Sequence, residues 1–193
     1  MAEINTQNNK GVNNVMPNSP APDKKRKSRG AVSEYKKSLV EKQALKNLYG
    51  LSERQFKKYV LNALSSIRKV ENVSDELIKS LEKRLDNVIF RIGFAKTRAQ
   101  SRQLVNHAYF FVNGKSVNIP SFEVKKGDVV SIKESKRKKL IFQELSKDLK
   151  KMEAPSWLKL NKEGFFADVL GDPSLAEANP PVEISLIFEF YSK

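Results

Sequence analysis

Through the first half of the chain the hydrophobic positions recur at helical spacing, in four runs. Val32, Tyr35, Leu39, Leu45 and Leu48 form the first, which Gly50 closes as a residue tolerant of positive φ. Ser52 opens the second. Its spacing to Gln55 is that of a capping box, and Phe56, Tyr59, Val60, Ala63, Leu64 and Ile67 make one stripe. Ser74 starts the third, with Asp75 and Glu76 in the first turn, where acids suit the helix dipole. Its stripe runs unbroken from Leu77, Ile78 and Leu81 through Leu85, Val88, Ile89 and Ile92 until Gly93. Thr97 caps a fourth helix, roughly Arg98 to Ala108, expected to bury Ala99, Leu104, Val105 and Ala108.

The period then falls to two. "YFFV" and "KSVNI" flank Asn113-Gly114, the pair favoured in a type I′ hairpin because both central residues need positive φ. In that register Phe110, Val112, Val117 and Ile119 share one face. "FEV", the turn "KKGD" and "VVSI" predict two further short strands. Two helices followed by a short antiparallel sheet make an α+β module. "KESKRKKLIFQELSKDLKKM" returns to a basic helical pattern, which "APSWLKLN" breaks while burying the only tryptophan, Trp157. Asn179 and Pro180 open a last helix through "VEISLIFEFY". Ile184, Leu186, Phe188 and Phe190 alternate equally well as a strand, and the helix is preferred.

Composition narrows the classes. With 193 residues, 39% of them hydrophobic, the chain supports one ordinary domain or two small ones. Residues 1–23 are rich in Asn, Pro and Ser and are expected to be a disordered tail. "KKRKSR", Lys24 to Arg29, suits a nuclear-import signal, a basic arm on phosphates, or a solvated linker. Lys and Arg number 36 against 22 Asp and Glu, a net +14, which points to nucleic acid or an anionic membrane surface. No apolar run approaches the ~18 residues of a membrane span, and no signal core or basic amphipathic anchor is evident, so a soluble, unexported protein is expected. The absence of cysteine excludes disulfides, thiolate metal sites and Cys nucleophiles.

The charge is unevenly spread. No Asp or Glu occurs between Asp86 and Glu123, and "FAKTRAQSRQLVNHAYFFVNGKS" carries Lys96, Arg98, Arg102, Lys115 and the only histidine. On helices, Arg84, Asn87 and Arg91 share the face opposite Leu85, Val88 and Ile92, while Arg98 and Arg102 stack four residues apart. The expectation is four arginines on solvent faces without a nearby acid, a phosphate-binding surface with Arg98 and Arg102 as a paired clamp. A merely solvated face is the bland alternative. Gln103 and Asn113 suit sugar or base edges, and Lys115 a phosphate. His107 suits a helix cap, an RNA contact, or a purely structural role.

Enzymatic signals fail on inspection. "GKS" at Gly114 to Ser116 lacks the earlier glycine of a phosphate-binding loop, since Tyr109 stands there. "RLD" at Arg84 to Asp86 fits an amphipathic helix in which Asp86 is an ordinary surface acid. No dinucleotide fingerprint, acid/base couple or His/Cys metal set appears, so neither catalytic residue nor metal nor cofactor is expected.

"RLDNVIFRIGFAKTRAQSRQLVNHAYFFVNGKSVNIPSFEVKKGD" resembles the RNA-binding domain named after bacterial ribosomal protein S-four, and closely the version in that ribosomal family. "SEYKKSLVEKQALKNLYGLSERQFKKYV" resembles the family's first helices, "PSWLKLN" its Trp-containing linker and "FEFYSK" its C-terminus, so the likeness covers roughly Lys24 to Lys193. The Asn-rich tail departs from the family's basic N-terminal segment, which sometimes carries four zinc-binding cysteines.

The resemblance implies an α+β architecture: a mostly helical domain, closed by the C-terminal helix, with the small RNA-binding domain inserted. The segments would be 1–23 tail, 24–83 helical domain, 84–148 RNA-binding domain and 149–193 linker and C-terminal completion. It implies a structural, primary binder of small-subunit ribosomal RNA at a multi-helix junction of the five-prime domain, in the cytoplasm. Ribosomal protein S-five and messenger RNA near its channel are implied partners, along with roles in decoding accuracy and repression of its own messenger. On this reading RNA contacts come from Lys36, Lys42, Gln43, Lys46, Tyr49, Arg54, Gln55 and Lys58 of the helical domain. From the inserted domain come Arg84, Arg91, Lys96, Thr97, Arg98, Arg102, Gln103, His107, Asn113 and Lys115. The alternatives are a free-standing RNA chaperone or translational regulator using the same domain, and an RNA-modifying enzyme such as a pseudouridine synthase, for whose catalytic domain no residues remain.

Overall fold

The computed structural model describes residues 33–68, 70–143, 149 and 152–192. The Asn-rich tail, the Lys24–Arg29 run, Val32 and most of the basic segment 144–151 lie outside the described residues. The first three helices are α1 (Glu34–Leu48), α2 (Glu53–Ser65) and α3 (Val73–Glu82). At Ser52 both halves of the capping box form, the hydroxyl accepting from Gln55 N and the Gln55 side chain accepting from Ser52 N. Gly50, with φ +60°, closes α1: its N–H donates to Asn47 O at 3.0 Å and Leu51 N donates to Lys46 O at 3.0 Å. Asn72, two residues before the expected Ser74, caps α3 by accepting from Ser74 N. Ile67 falls beyond α2 and is exposed, as is Tyr35.

The long third stripe is not one helix. It breaks at Lys83 and Arg84, and α4 (Leu85–Arg91) begins after Arg84 adopts an extended conformation. The stripe is thereby shared between two cores. Leu77, Ile78 and Leu81 join Leu45, Phe56, Val60 and the C-terminal helix (Ile184–Ser192) through Ile184 and Ile187. Leu85, Val88, Ile89 and Ile92 join Leu104, Phe110, Val130, Trp157 and Val169. The break leaves the first amides of α4 without helical partners, and Leu85 N and Asp86 N donate instead to Phe122 O and Pro120 O, at 2.8 and 3.1 Å. "FEV" therefore forms a single bridge, Arg84 to Glu123, instead of the expected strand.

Thr97 caps α5 (Arg98–Asn106), which buries Leu104 and Val105 together with Ser101, whereas Ala99 is exposed and Ala108 half-buried. Next come β1 (Phe110–Val112), β2 (Lys115–Val117), β3 (Val129–Ile132) and two single turns, α6 (Glu134–Arg137) and α7 (Leu140–Gln143). Asn113 and Gly114 both take positive φ, 50° and 74°, as the hairpin turn requires. Ile119, expected on the inner face, lies past β2 and is exposed. Two strands come from the stretch read as a linker: β4 (Leu158–Asn161) and β5 (Phe166–Val169). They extend the sheet to five antiparallel strands in the order β2-β1-β3-β5-β4. Trp157 is buried beside them, as expected. Asn179 ends a short helix, Leu175–Ala178, in the left-handed conformation, so the C-terminal helix starts at Ile184 and not at Asn179-Pro180.

The C-terminal helix is tied to α1 and α2 by polar as well as apolar groups. Glu53 accepts from Lys42 Nζ at 2.7 Å and from Tyr191 Oη at 2.8 Å, and Lys42 Nζ lies 4.5 Å from the Phe190 ring centroid. The Lys42 hydrogen bond outweighs the effect of burial and holds the Glu53 carboxyl below its ordinary value. A carboxylate whose folded pKa is depressed adds stability above the unfolded value of 4.5, lost as pH falls through the lower folded one. The melting temperature should drop on acidification below that value, and Glu53→Gln should flatten part of the drop. An acid limb unchanged by Glu53→Gln would refute the role.

Candidate nucleic-acid interface

Two of the three arginines of the acid-free stretch, Arg91 and Arg102, are paired with carboxylates that precede it. The break at Arg84 turns Asp86 inward, and Asp86 is 3% exposed, not the surface acid expected from "RLD". Asp86 accepts from Arg84 Nε at 3.0 Å and Arg84 NH2 at 2.8 Å, then from Arg102 Nε and NH2 at 3.0 and 2.9 Å. Arg84 also donates to Tyr59 Oη at 2.7 Å. Arg102 donates onward to Tyr49 O at 3.1 Å and to Gly50 O, so one guanidinium holds the two carbonyls just past the end of α1. Burial works against the Arg84 charge, but the Asp86 hydrogen bonds and charge prevail and hold its pKa above the ordinary arginine value.

Glu82, 1% exposed, organises the second half of this network. It accepts from Arg91 Nε and NH2 at 2.9 and 2.6 Å, from Asn87 Nδ2 at 2.8 Å, and from Tyr49 Oη at 2.6 Å. Burial, reinforced by the adjoining Glu82 charge, pushes the Tyr49 phenol far above its ordinary value, so it stays a donor. Asn87 passes the chain on, its Oδ1 accepting from Arg98 Nε at 2.9 Å. Arg98 lies over the rings of Phe90 and Tyr49, with centroids at 4.4 and 5.0 Å. Burial lowers its pKa, and among the described residues no carboxylate forms an ion pair with it.

The expectation of four solvent-facing arginines without an acid partner is thus corrected: Asp86 serves Arg84 and Arg102, and Glu82 serves Arg91. The reason is geometric. Residues two apart do not meet on a continuous helix, so an Arg84–Asp86 pair is possible only because α3 and α4 are separate.

Of the other expected contacts, Tyr49 and Lys42 are buried with their polar atoms occupied, as is Arg84, and their placement is that of structural groups. Lys46 and Arg91 are half-buried, facing Glu53 and Glu82. Lys36, Gln43, Arg54, Lys58, Lys96, Gln103, His107 and Lys115 are exposed. Gln55, Thr97 and Asn113 are exposed but partly committed, the first two as caps and Asn113 to Asp128 and Val129 N. The outward side of α2, α5 and the β1–β2 turn is therefore cationic and amide-bearing. Sequence reasoning missed Glu82, Tyr59 and Ser101, whose hydroxyl donates to Asp86 O at 2.6 Å. A polar residue inside an apolar helical stripe was the available signal.

The S4 domain family matches residues 83–130, the body built on α4, α5 and the first three strands. The ribosomal protein S4/S9 N-terminal domain family matches residues 5–82, so the likeness begins well before Lys24 and takes in most of the Asn-rich tail. The chain is 45% identical to the small ribosomal subunit protein uS4 of Persephonella marina, covering 83% of this chain and 78% of that one. It is 46% identical to the same protein of Aquifex aeolicus, covering 86% and 78%.

The chain belongs to the uS4 family of small ribosomal subunit proteins.

The S4 match falls on residues of the second core, the N-terminal match ends with α3 at Glu82, and the buried arginine network lies where the two matches meet. Among the described residues no helix is long and apolar enough to cross a membrane.

Proposed function

We propose that this chain is a structural, non-enzymatic component of the small ribosomal subunit, acting in the cytoplasm by binding small-subunit ribosomal RNA. Family membership over most of the chain carries this reading, and the exposed cationic surface gives it a mechanism. Lys96, Gln103 and Lys115 around α5 and the hairpin, the half-buried Arg98 beside them, and Lys36, Arg54 and Lys58 on α1 and α2 contact phosphates and sugars of adjoining RNA helices. Two bodies held in fixed orientation by the Glu82 and Asp86 network bridge helices that repel one another, which favours a multi-helix junction of the five-prime domain. The bodies divide by their cores: α1 to α3 with the C-terminal helix, and the span from α4 through β5. Ribosomal protein S-five and the messenger RNA channel are proposed neighbours, on family resemblance alone. Fractionation of ribosomal subunits tests the reading: the chain should remain with the small subunit through a high-salt wash, and its recovery only in the free fraction would overturn it.

A further inference from the structure

The outer face of the sheet carries an arrangement that the surface around α5 does not use. The strand registers align Ser116, Phe111, Ser131, Phe166 and Asn161 in one row across all five strands. Phe111 and Phe166 are only half-buried. With one strand between them, the two backbone positions lie about 10 Å apart, two strand spacings. No hydrophobic demand of the core explains them, since the neighbouring positions Phe110, Val112, Val130 and Ala167 fill the opposite face.

Beside this row the chain is strongly basic. Lys133, Lys136, Arg137, Lys138 and Lys139 lie within seven residues that hold one acid, Glu134. Lys133 Nζ sits 5.1 Å from the Phe111 ring centroid and donates to Ser116 Oγ at 2.6 Å. Ser131, Lys133, Ser135 and Arg137 line a shallow groove that opens onto Phe111. On the far side Lys159 projects from β4 opposite Asp168 in register, the other acid of this face. Half-buried rings, one with Lys133 over it, beside a basic segment and hydroxyls match the chemistry of unpaired nucleotides: bases stack on the rings while phosphates meet lysine and arginine.

We infer that the outer sheet face is a second RNA-contact surface, which receives an unpaired RNA segment on Phe111 and Phe166 with its backbone along Lys133–Lys139. The inference rests on the RNA-binding reading above and adds to it the class of RNA and the place.

The full chain is titrated with two probes, a short oligouridylate and a folded five-prime-domain fragment of small-subunit ribosomal RNA. Phe111→Ala with Phe166→Ala should weaken oligouridylate binding about tenfold or more. The tyrosine pair Phe111→Tyr with Phe166→Tyr, which keeps both stacking surfaces, should retain it. Lys133→Glu with Lys136→Glu, at positions outside the core, should weaken it too and reduce its salt dependence, which keeps the test valid if the alanine pair fails to fold. Native oligouridylate affinity in the alanine and charge-reversal variants, with the folded fragment still bound, would overturn the sheet-face inference and leave the RNA-binding reading standing. Failure of the unaltered chain to bind either RNA would overturn both. A defect confined to assembly with other subunit proteins, oligouridylate binding being intact, would assign this face to a protein and also overturn the inference.

Discussion

Replacing Asp86 with alanine is expected to remove about 3–5 kcal/mol of folding stability, the cost of leaving a buried charge without its partner. Arg84 is 3% exposed and, among the described residues, forms its ion pair with Asp86 alone, and Arg102 loses the same acceptor. The effect extends to the end of α1, because the Arg102 guanidinium is held by Asp86 while it binds Tyr49 O and Gly50 O. At about 2–4 °C per kcal/mol for a chain of this size, the melting temperature should fall by roughly 6–20 °C. Glu134→Ala, at an exposed position, should stay within about 0.5 kcal/mol of the native protein. A thermal or urea melt in which Asp86→Ala matches Glu134→Ala would show that the network is not structural. By the same logic Arg102→Ala should destabilise the free protein, while Arg98→Ala, which loses Asn87 and two ring contacts but strands no carboxylate, should do so much less.

The second large effect concerns salt. A net +14 with a cationic outer surface makes release of counterions the main drive for RNA binding. Each phosphate neutralised adds roughly −0.7 to −0.9 to the slope of log affinity against log salt. With about six phosphates engaged, affinity for the ribosomal RNA fragment should fall on the order of a thousandfold between about 50 and about 200 mM salt. Only outward-facing cations enter this count. Arg84 and Arg102 are already neutralised by Asp86, so the slope should be set by groups such as Lys36, Lys58 and Lys115. Fluorescence anisotropy across a salt series measures it directly, and a flat line would rule out phosphate-driven binding.

Features fixed by neighbours in sequence were legible in advance. The Ser52–Gln55 box, the Gly50 stop, the Thr97 cap and the Asn113-Gly114 turn each satisfy a local backbone demand that only a few residue types meet. The break between α3 and α4 was not legible, because Leu81 and Leu85 keep helical phase across it and neither Gly nor Pro marks it. Only the presence of two separate cores, each taking half of the stripe, explains it. The arginine partners were hidden by the same fact: with a continuous helix Asp86 points outward, and with a broken one it points in. β4 and β5 carried a readable signal, the alternation of Leu158 with Leu160 and of Ala167 with Val169 around an Asn161–Gly164 turn. Each run is only four residues long, and that brevity left the pattern inside what looked like a linker. Among the proposed RNA contacts, the charge pattern identified the right region, but charge alone could not separate buried lysines and arginines such as Lys42 and Arg84 from exposed ones such as Lys58 and Lys96.

The central claim is that a rigid, two-bodied uS4-family protein recognises the shape of a particular ribosomal RNA junction, with charge supplying affinity and the fixed orientation of the bodies supplying discrimination. It is tested most directly by measuring the affinity of the full chain, at one fixed salt concentration, for the five-prime-domain fragment and for an unrelated structured RNA of equal length. Tighter binding to the fragment by at least about tenfold, ~1.4 kcal/mol, is the predicted result. Equal affinity for the two RNAs would contradict it.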